Sequence, residues 1–447
     1  MVSQEQQRIW FDNSLQAFVA ALISTLSIEE VTSGWVVRDA SGRLFFVCAK
    51  STDDVRLERA SAAAYAQANP YVRPDSSVVD IDFPGANSVI EQARPYLRKV
   101  QVSADATVTV NVVDQRIVGS DWLTPPSQLA QGAPRYAFAS IKGGVGRTTA
   151  LAVAARDMAL RGHNVLIIDL DLEAPGIGSI LLNESDLPRF GMLDATVDMA
   201  LAPLDNEYFL DMVSPSSFGD GRGLIDVVPA VGRSGREHPA DVLAKLSRSY
   251  IESVSGIDGE VLSFAGRTRA LVDRLCSLKR YDIVFIDARA GLHESTASAV
   301  LNLGANVLLF GEDTPQTFAG YRFLLAHLAQ FPRSPDDDWL ERVRMIHAKA
   351  SPIPERQQLF RDRAYEIFRE FLYADEELGA NEVTLSEFSI DDENAPHYAV
   401  PILRDTNYLE FDPLTNSSVM LTSIYERTYQ ALIDWLDRPL AAGVNDE

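Results

Sequence analysis

The sequence predicts an α/β protein: a mostly parallel, doubly wound sheet preceded by a small α+β domain. Three observations carry this. From residue 135 onward, short runs rich in β-branched and aliphatic residues recur as RYAFASIK, NVLIIDLD, LIDVVPAV, YDIVFIDA, NVLLFGED and RVRMIHAK. Helical stretches separate most of them, at 148–161, 239–251, 266–278, 294–302, 315–330 and 354–372, the alternation expected of a parallel sheet covered on both faces. The 447 residues also exceed one domain at roughly 150 residues each. LTPPSQLAQGAP, 123–134, reads as a linker between an N-terminal domain, 1–122, and a second domain, 135–447.

In the N-terminal domain, Trp10, Leu15, Phe18 and Leu22 recur at helical spacing and predict an amphipathic helix. GWVVRDASGRLFFVCA predicts two strands joined at DASG. An Ala-rich helix (about 56–68), a turn at NPYVRPDSS, a helix near 87–98 and a strand ATVTVNVVD follow. None of these segments carries a recognisable chemistry.

Composition narrows the function classes. The chain is 46% hydrophobic and 23% charged, as in a globular protein with a substantial core. No run of about 18 apolar residues predicts a transmembrane helix, and the polar N-terminus does not read as a secretory signal. Cys48 and Cys276 lie far apart, so neither a disulfide nor a zinc site is expected, and a cytoplasmic location fits. A net charge of −23 opposes both DNA and anionic membranes. The acidic stretch at 374–394 reads as a solvated loop, with a docking surface for a basic partner as the alternative.

The chemistry concentrates in ASIKGGVGRTTALAVAA, 139–155. An apolar strand precedes it and a helix follows. Between them Gly143, Gly144, Val145 and Gly146 form a curl whose N–H groups suit an anion at the positive end of the helix. Arg147, Thr148 and Thr149 add a cation and two hydroxyls. Against the pattern G-x-x-x-x-G-K-[ST], the first glycine is missing at Ile141, Arg147 stands for the lysine, and Lys142 is extra.

KGGVGRTT resembles the deviant Walker A motif, K-G-G-x-G-K-[ST]-[ST], of ParA/MinD-type P-loop ATPases, in its KGGVGR variant. The resemblance implies a P-loop NTPase sheet that binds ATP and Mg2+. It makes Lys142 the signature residue, reaching the partner's nucleotide across an ATP-sandwiched homodimer. NVLIIDLDLEAPGIGS resembles the family's second strand, so Asp171 would position the attacking water and Asp169 would help hold the metal's shell. YDIVFIDARAG resembles a Walker B strand with its switch segment, and Asp287 would accept from a metal-bound water. Thr148 would ligate the metal, Gly143 to Thr149 would hold the phosphates, and backbone near Pro401 would wrap the base.

Arg147 is the one departure. Arginine keeps the charge and adds a bulkier, planar fork, so nucleotide binding is expected to survive and slow hydrolysis to remain. The resemblance therefore implies a slow, dimerising ATPase switch with an unidentified protein partner and the N-terminal domain as sensor or output module. The alternative is a nucleotide-locked adaptor that recruits a protein without turnover. The C-terminal SIYERTYQALIDWLDRPLAAGVNDE is amphipathic but acidic, so it is expected to pack on the core rather than on a membrane.

Overall fold

The computed structural model describes residues 8–92, 95–219, 221–254, 261–334, 337–373 and 388–443. The chain divides into two compact units, Met1–Leu123 and Thr124–Glu447.

In the first unit β1 (Trp35–Arg38), β2 (Leu44–Cys48), β3 (Val78–Asp80), β4 (Tyr96–Ser103) and β5 (Ala106–Asp114) form one sheet in the order β3-β2-β1-β5-β4. The helices Phe11–Ile23 and Asp54–Ala68 send Phe18, Leu22, Ala60 and Ala64 into a core with Phe46, Val110 and Val112. Asp53 starts the second helix by accepting from the N–H of Val55 at 2.9 Å. Two expectations need correction. The helix near 87–98 ends at Gln92, and 96–98 belong to the edge strand β4, whose consecutive charged residues Arg98 and Lys99 are both exposed. Trp10 lies outside the first helix and is 52% exposed, with the Arg8 guanidinium over its ring.

The second unit is built on β6 (Arg135–Ser140), β7 (Val165–Asp169), β8 (Ser214–Pro215), β9 (Ile225–Val228), β12 (Ile283–Ala290), β13 (Asn306–Gly311), β14 (Val343–Ala350) and β15 (Val400–Leu403). A two-strand hairpin, β10 (Ser253–Val254) with β11 (Val261–Leu262), stands apart from it. The order of the eight-stranded sheet is β15-β14-β13-β6-β12-β7-β9-β8, and every pairing is parallel except β8 with β9. β6 is central, flanked by β12 and β13. The chain reverses direction across the sheet between those two strands, which opens a crevice at their carboxyl ends.

Alternation along the central strands covers both faces. Tyr136, Phe138, Phe285 and Phe310 join one cluster with the helix Arg147–Leu160 and with Tyr425, Leu432, Ile433 and Leu436 of the C-terminal helix. Ala137, Ala139, Val284 and Ile286 face the other way and are equally buried. The C-terminal helix thus packs on the core, as its apolar face predicts. Among the described residues no helix is long and apolar enough to cross a membrane.

The proline-rich segment at 123–134 is held to the second unit. Ser127 N–H donates to the Leu301 carbonyl at 2.7 Å, Ala130 N–H to the Gly304 carbonyl at 3.0 Å, and Arg342 to the Ser127 carbonyl at 2.8 Å. Gly304 permits the approach. Its φ is +57°, and a Cβ there would meet Ala130 N at 2.5 Å. Of the acidic stretch, 374–387 lies outside the described residues.

Candidate functional site

The loop after β6 lies at the centre of the crevice. Gly144 and Gly146 have φ of +74° and +95°, and Gly146 is the N-cap of the helix Arg147–Leu160. A Cβ built on Gly143, Gly144 or Gly146 meets nothing within 4 Å, so open space lies over the loop. Among the described residues, the N–H groups of Gly143, Gly144, Val145 and Gly146 take no acceptor. Unclaimed donors around open space at a helix N-terminus are what an oxyanion requires. Ile141, where the ordinary loop pattern wants glycine, packs against the helix Pro315–Leu328, where Gly320 leaves it room.

The charged side chains meet beneath this loop. Thr148 Oγ1 donates to Asp287 Oδ2 at 2.6 Å. Arg147 is buried; its Nη1 donates to Ser140 Oγ at 2.5 Å. The same guanidinium lies 3.8 Å from both Asp171 and Asp287. Arg147 Nε and Asp287 Oδ1 face each other at that distance, both buried and both lacking a hydrogen-bond partner. Burial raises the Asp287 carboxyl above its usual range, opposed by Arg147 and the Thr148 hydrogen bond. Burial also raises Asp171, again opposed by Arg147.

Asp169 is fully buried at the end of β7. Its Oδ1 accepts from Asp171 N–H at 3.0 Å, and its Oδ2 from Gly176 and Ile177 N–H at 3.2 and 3.3 Å. It fastens the loop that carries Asp171. Burial and the charge of Asp287 raise its carboxyl strongly. Lys142 is exposed, and among the described residues its side chain has no partner. Thr149 follows Thr148 in the first helical turn. Pro401 sits inside the edge strand β15, in register with His347 of β14, away from the Asp cluster's strands.

The residues fit a nucleotide phosphate with a hard divalent ion. Gly143 to Gly146 offer the donors, Thr148 and Asp287 offer oxygens at one point, and Asp287 Oδ1 has spare acceptor capacity. Among the described residues no group of three or more His, Cys, Asp or Glu is set to hold a metal by itself. Mg2+ in phosphate sites uses one or two protein oxygens and completes its shell with phosphate and water, so this donor set suits it.

Two groups of residues escaped the sequence reading. Glu173 accepts from Tyr250 Oη at 2.7 Å and pairs with Arg289 and, at 3.3 Å, with His293. It joins the loop after β7 to the end of β12 and the residues just beyond it, and two of these residues, Glu173 and Arg289, lie within quoted motifs. Lys349, at the end of β14, bonds the loop itself through the Gly144 carbonyl at 2.7 Å.

Beside the site, His347 is 4% exposed and stacks on Phe360 with ring centroids 4.0 Å apart. Burial pushes its pKa from 6.5 down to about 4, so the folded protein holds a neutral imidazole. The unfolded chain binds a proton first in that window, so this residue's contribution falls as pH drops from 6.5 to about 4. His347→Phe is expected to remove up to about 3 kcal/mol of acid sensitivity. Urea unfolding at pH 7 and pH 4.5 checks this, and an unchanged difference between wild type and variant would refute it.

Fold and site together define a nucleotide-binding protein of the phosphate-loop class. Residues 136–310 match the family model described as the CobQ/CobB/MinD/ParA nucleotide binding domain. The match lies wholly within the second unit and spans the phosphate loop, Asp169, Asp171 and Asp287. Similar solved structures include a ParA family ATPase from Chlorobium tepidum TLS, at 16% identity and TM-score 0.43, covering 68% of this chain and 98% of that one. Cobyrinic acid a,c-diamide synthase from Mycobacterium smegmatis, solved with an ATP analog and magnesium, shares 16% identity at TM-score 0.40, covering 70% and 97%. A plasmid partition protein from Borrelia burgdorferi shares 13% identity at TM-score 0.38, covering 69% and 100%. No curated protein matches the chain.

Proposed function

We propose that this protein is a cytoplasmic, slow ATPase that switches between monomer and ATP-bound homodimer, with the first unit as its sensor or output module. One observation carries the reading: the open loop of unclaimed N–H donors directly above Thr148, Asp287 and Arg147. Gly143 to Gly146 bind the phosphates through their N–H groups, and Thr148 and Asp287 hold Mg2+, which neutralises charge on the terminal phosphates when bound. Arg147 supplies positive charge at the phosphates in place of lysine. Asp171, on a loop fastened by Asp169, orients water. Lys142, exposed and free of partners among the described residues, is available to a second copy's phosphates.

A cleft of about 340 Å3 in the first unit, lined by Phe45, Val79 and Phe83 with Arg43 and Arg73, supports a sensing role for that unit. A second reading is the nucleotide-locked adaptor. It is favoured by the anchoring of Arg147 to Ser140, which restrains the cation that must follow the transferring phosphate. Phosphate release by wild type and Asp171→Ala separates the two. The ATPase reading expects turnover in wild type that the variant loses, and turnover absent from both supports the adaptor.

A further inference from the structure

Lys349 is one of two non-glycine residues among those described with a positive φ, at +52°, and Ser76 is the other. A β-carbon makes that conformation unfavourable, and lysine has no local hydrogen-bonding side chain to offset it as asparagine would. The strand register between β14 and β15 shifts between His347 and Ala350, so Lys349 sits in a bulge. A bulge re-aims a side chain. Here it aims Nζ across the sheet end, where it donates to the Gly144 carbonyl at 2.7 Å and pairs with Glu312 at 2.8 Å, just past β13.

The carbonyl it grips is the informative part. A trans peptide holds its C=O and the following N–H antiparallel, so fixing the Gly144 carbonyl fixes the Val145 N–H on the opposite side. That N–H is one of the loop's unclaimed donors. We propose that Lys349 is a positioning residue for nucleotide: a strained lysine, braced by Glu312, that presets the phosphate loop by holding the Gly144 carbonyl. The inference rests on the reading that this loop binds nucleotide. Backbone strain retained at a site edge, where glycine would relieve it, serves binding rather than folding.

Lys349→Gly tests this because the two effects move in opposite directions. Glycine adopts the same φ without strain but has no ammonium. Its thermal midpoint is expected to equal or exceed wild type, while the Kd for a fluorescent ATP analogue with Mg2+ rises about ten-fold, the loss of one charge-assisted bond. Lys349→Arg, which keeps the cation, is expected to recover most of the affinity at a midpoint no higher than wild type. Wild-type affinity in a folded Lys349→Gly would overturn the proposal. So would a fall in midpoint matched by the same fall in Lys349→Arg with unchanged affinity, since that marks a merely structural lysine. If the wild type itself binds no nucleotide, the parent reading fails, and this inference with it.

Discussion

Asp287→Asn is expected to abolish Mg2+-dependent phosphate release, by on the order of 10²- to 10³-fold, while leaving the fold as stable as wild type or more so. The carboxylate accepts from Thr148 at 2.6 Å, and its other oxygen is buried without a hydrogen bond. An amide retains the shape and one acceptor but loses the charge that a metal and its waters require. The same carboxylate disfavours the charged form of Asp169, so neutralising it relieves a buried like-charge contact. Activity and stability therefore part company. Phosphate release with Mg2+ and with EDTA, beside urea unfolding at pH 7.5, measures both. A variant that keeps turnover would remove Asp287 from the chemistry. A large drop in stability would assign it to the fold.

Arg147→Ala is expected to cost about 3 kcal/mol of folding stability at neutral pH and to weaken nucleotide binding by about two orders of magnitude. The side chains of Arg147 and Asp287 are 8% and 2% exposed, so solvent barely screens the pair. Removing the guanidinium leaves Asp171 and Asp287 buried without their nearest cation. Both carboxyls are already raised, and both are held down in part by Arg147. A raised carboxyl means that the folded state binds more protons than the unfolded one, so the group's stability contribution falls as pH rises through that window. Loss of Arg147 widens the window upward. The deficit of the variant is therefore largest near pH 7.5 and shrinks toward pH 5, as protonation relieves the acids. Urea unfolding at the two pH values measures it, and Arg147→Lys is expected to restore much of both properties. A deficit that does not change with pH would contradict the electrostatic origin.

The strand–loop–helix at the centre of the sheet was legible because its signals are local. Strand, glycines, cation and hydroxyls fall within 135–149, and Asp169 and Asp287 each end an apolar run. Elements at sheet edges were harder to read. β4 carries Arg98 and Lys99 and exposes Leu97, so alternation gives way to charge and the run resembles a continuing helix. β15 contains Pro401, which a strand tolerates only where no ladder bond is needed, as at this edge. The supporting residues were hidden for another reason. Glu173 gathers Tyr250, Arg289 and His293 from separate segments. The reach of Lys349 depends on a bulge and a left-handed φ that no residue pattern announces.

The switch itself is tested most directly by light scattering on the full chain with Mg2+ and either ATP or ADP. The mass is expected to double with ATP, to stay that of a monomer with ADP, and to stay that of a monomer with ATP when Lys142 is replaced by alanine. Nucleotide bound at full occupancy with no change in mass would contradict the switch.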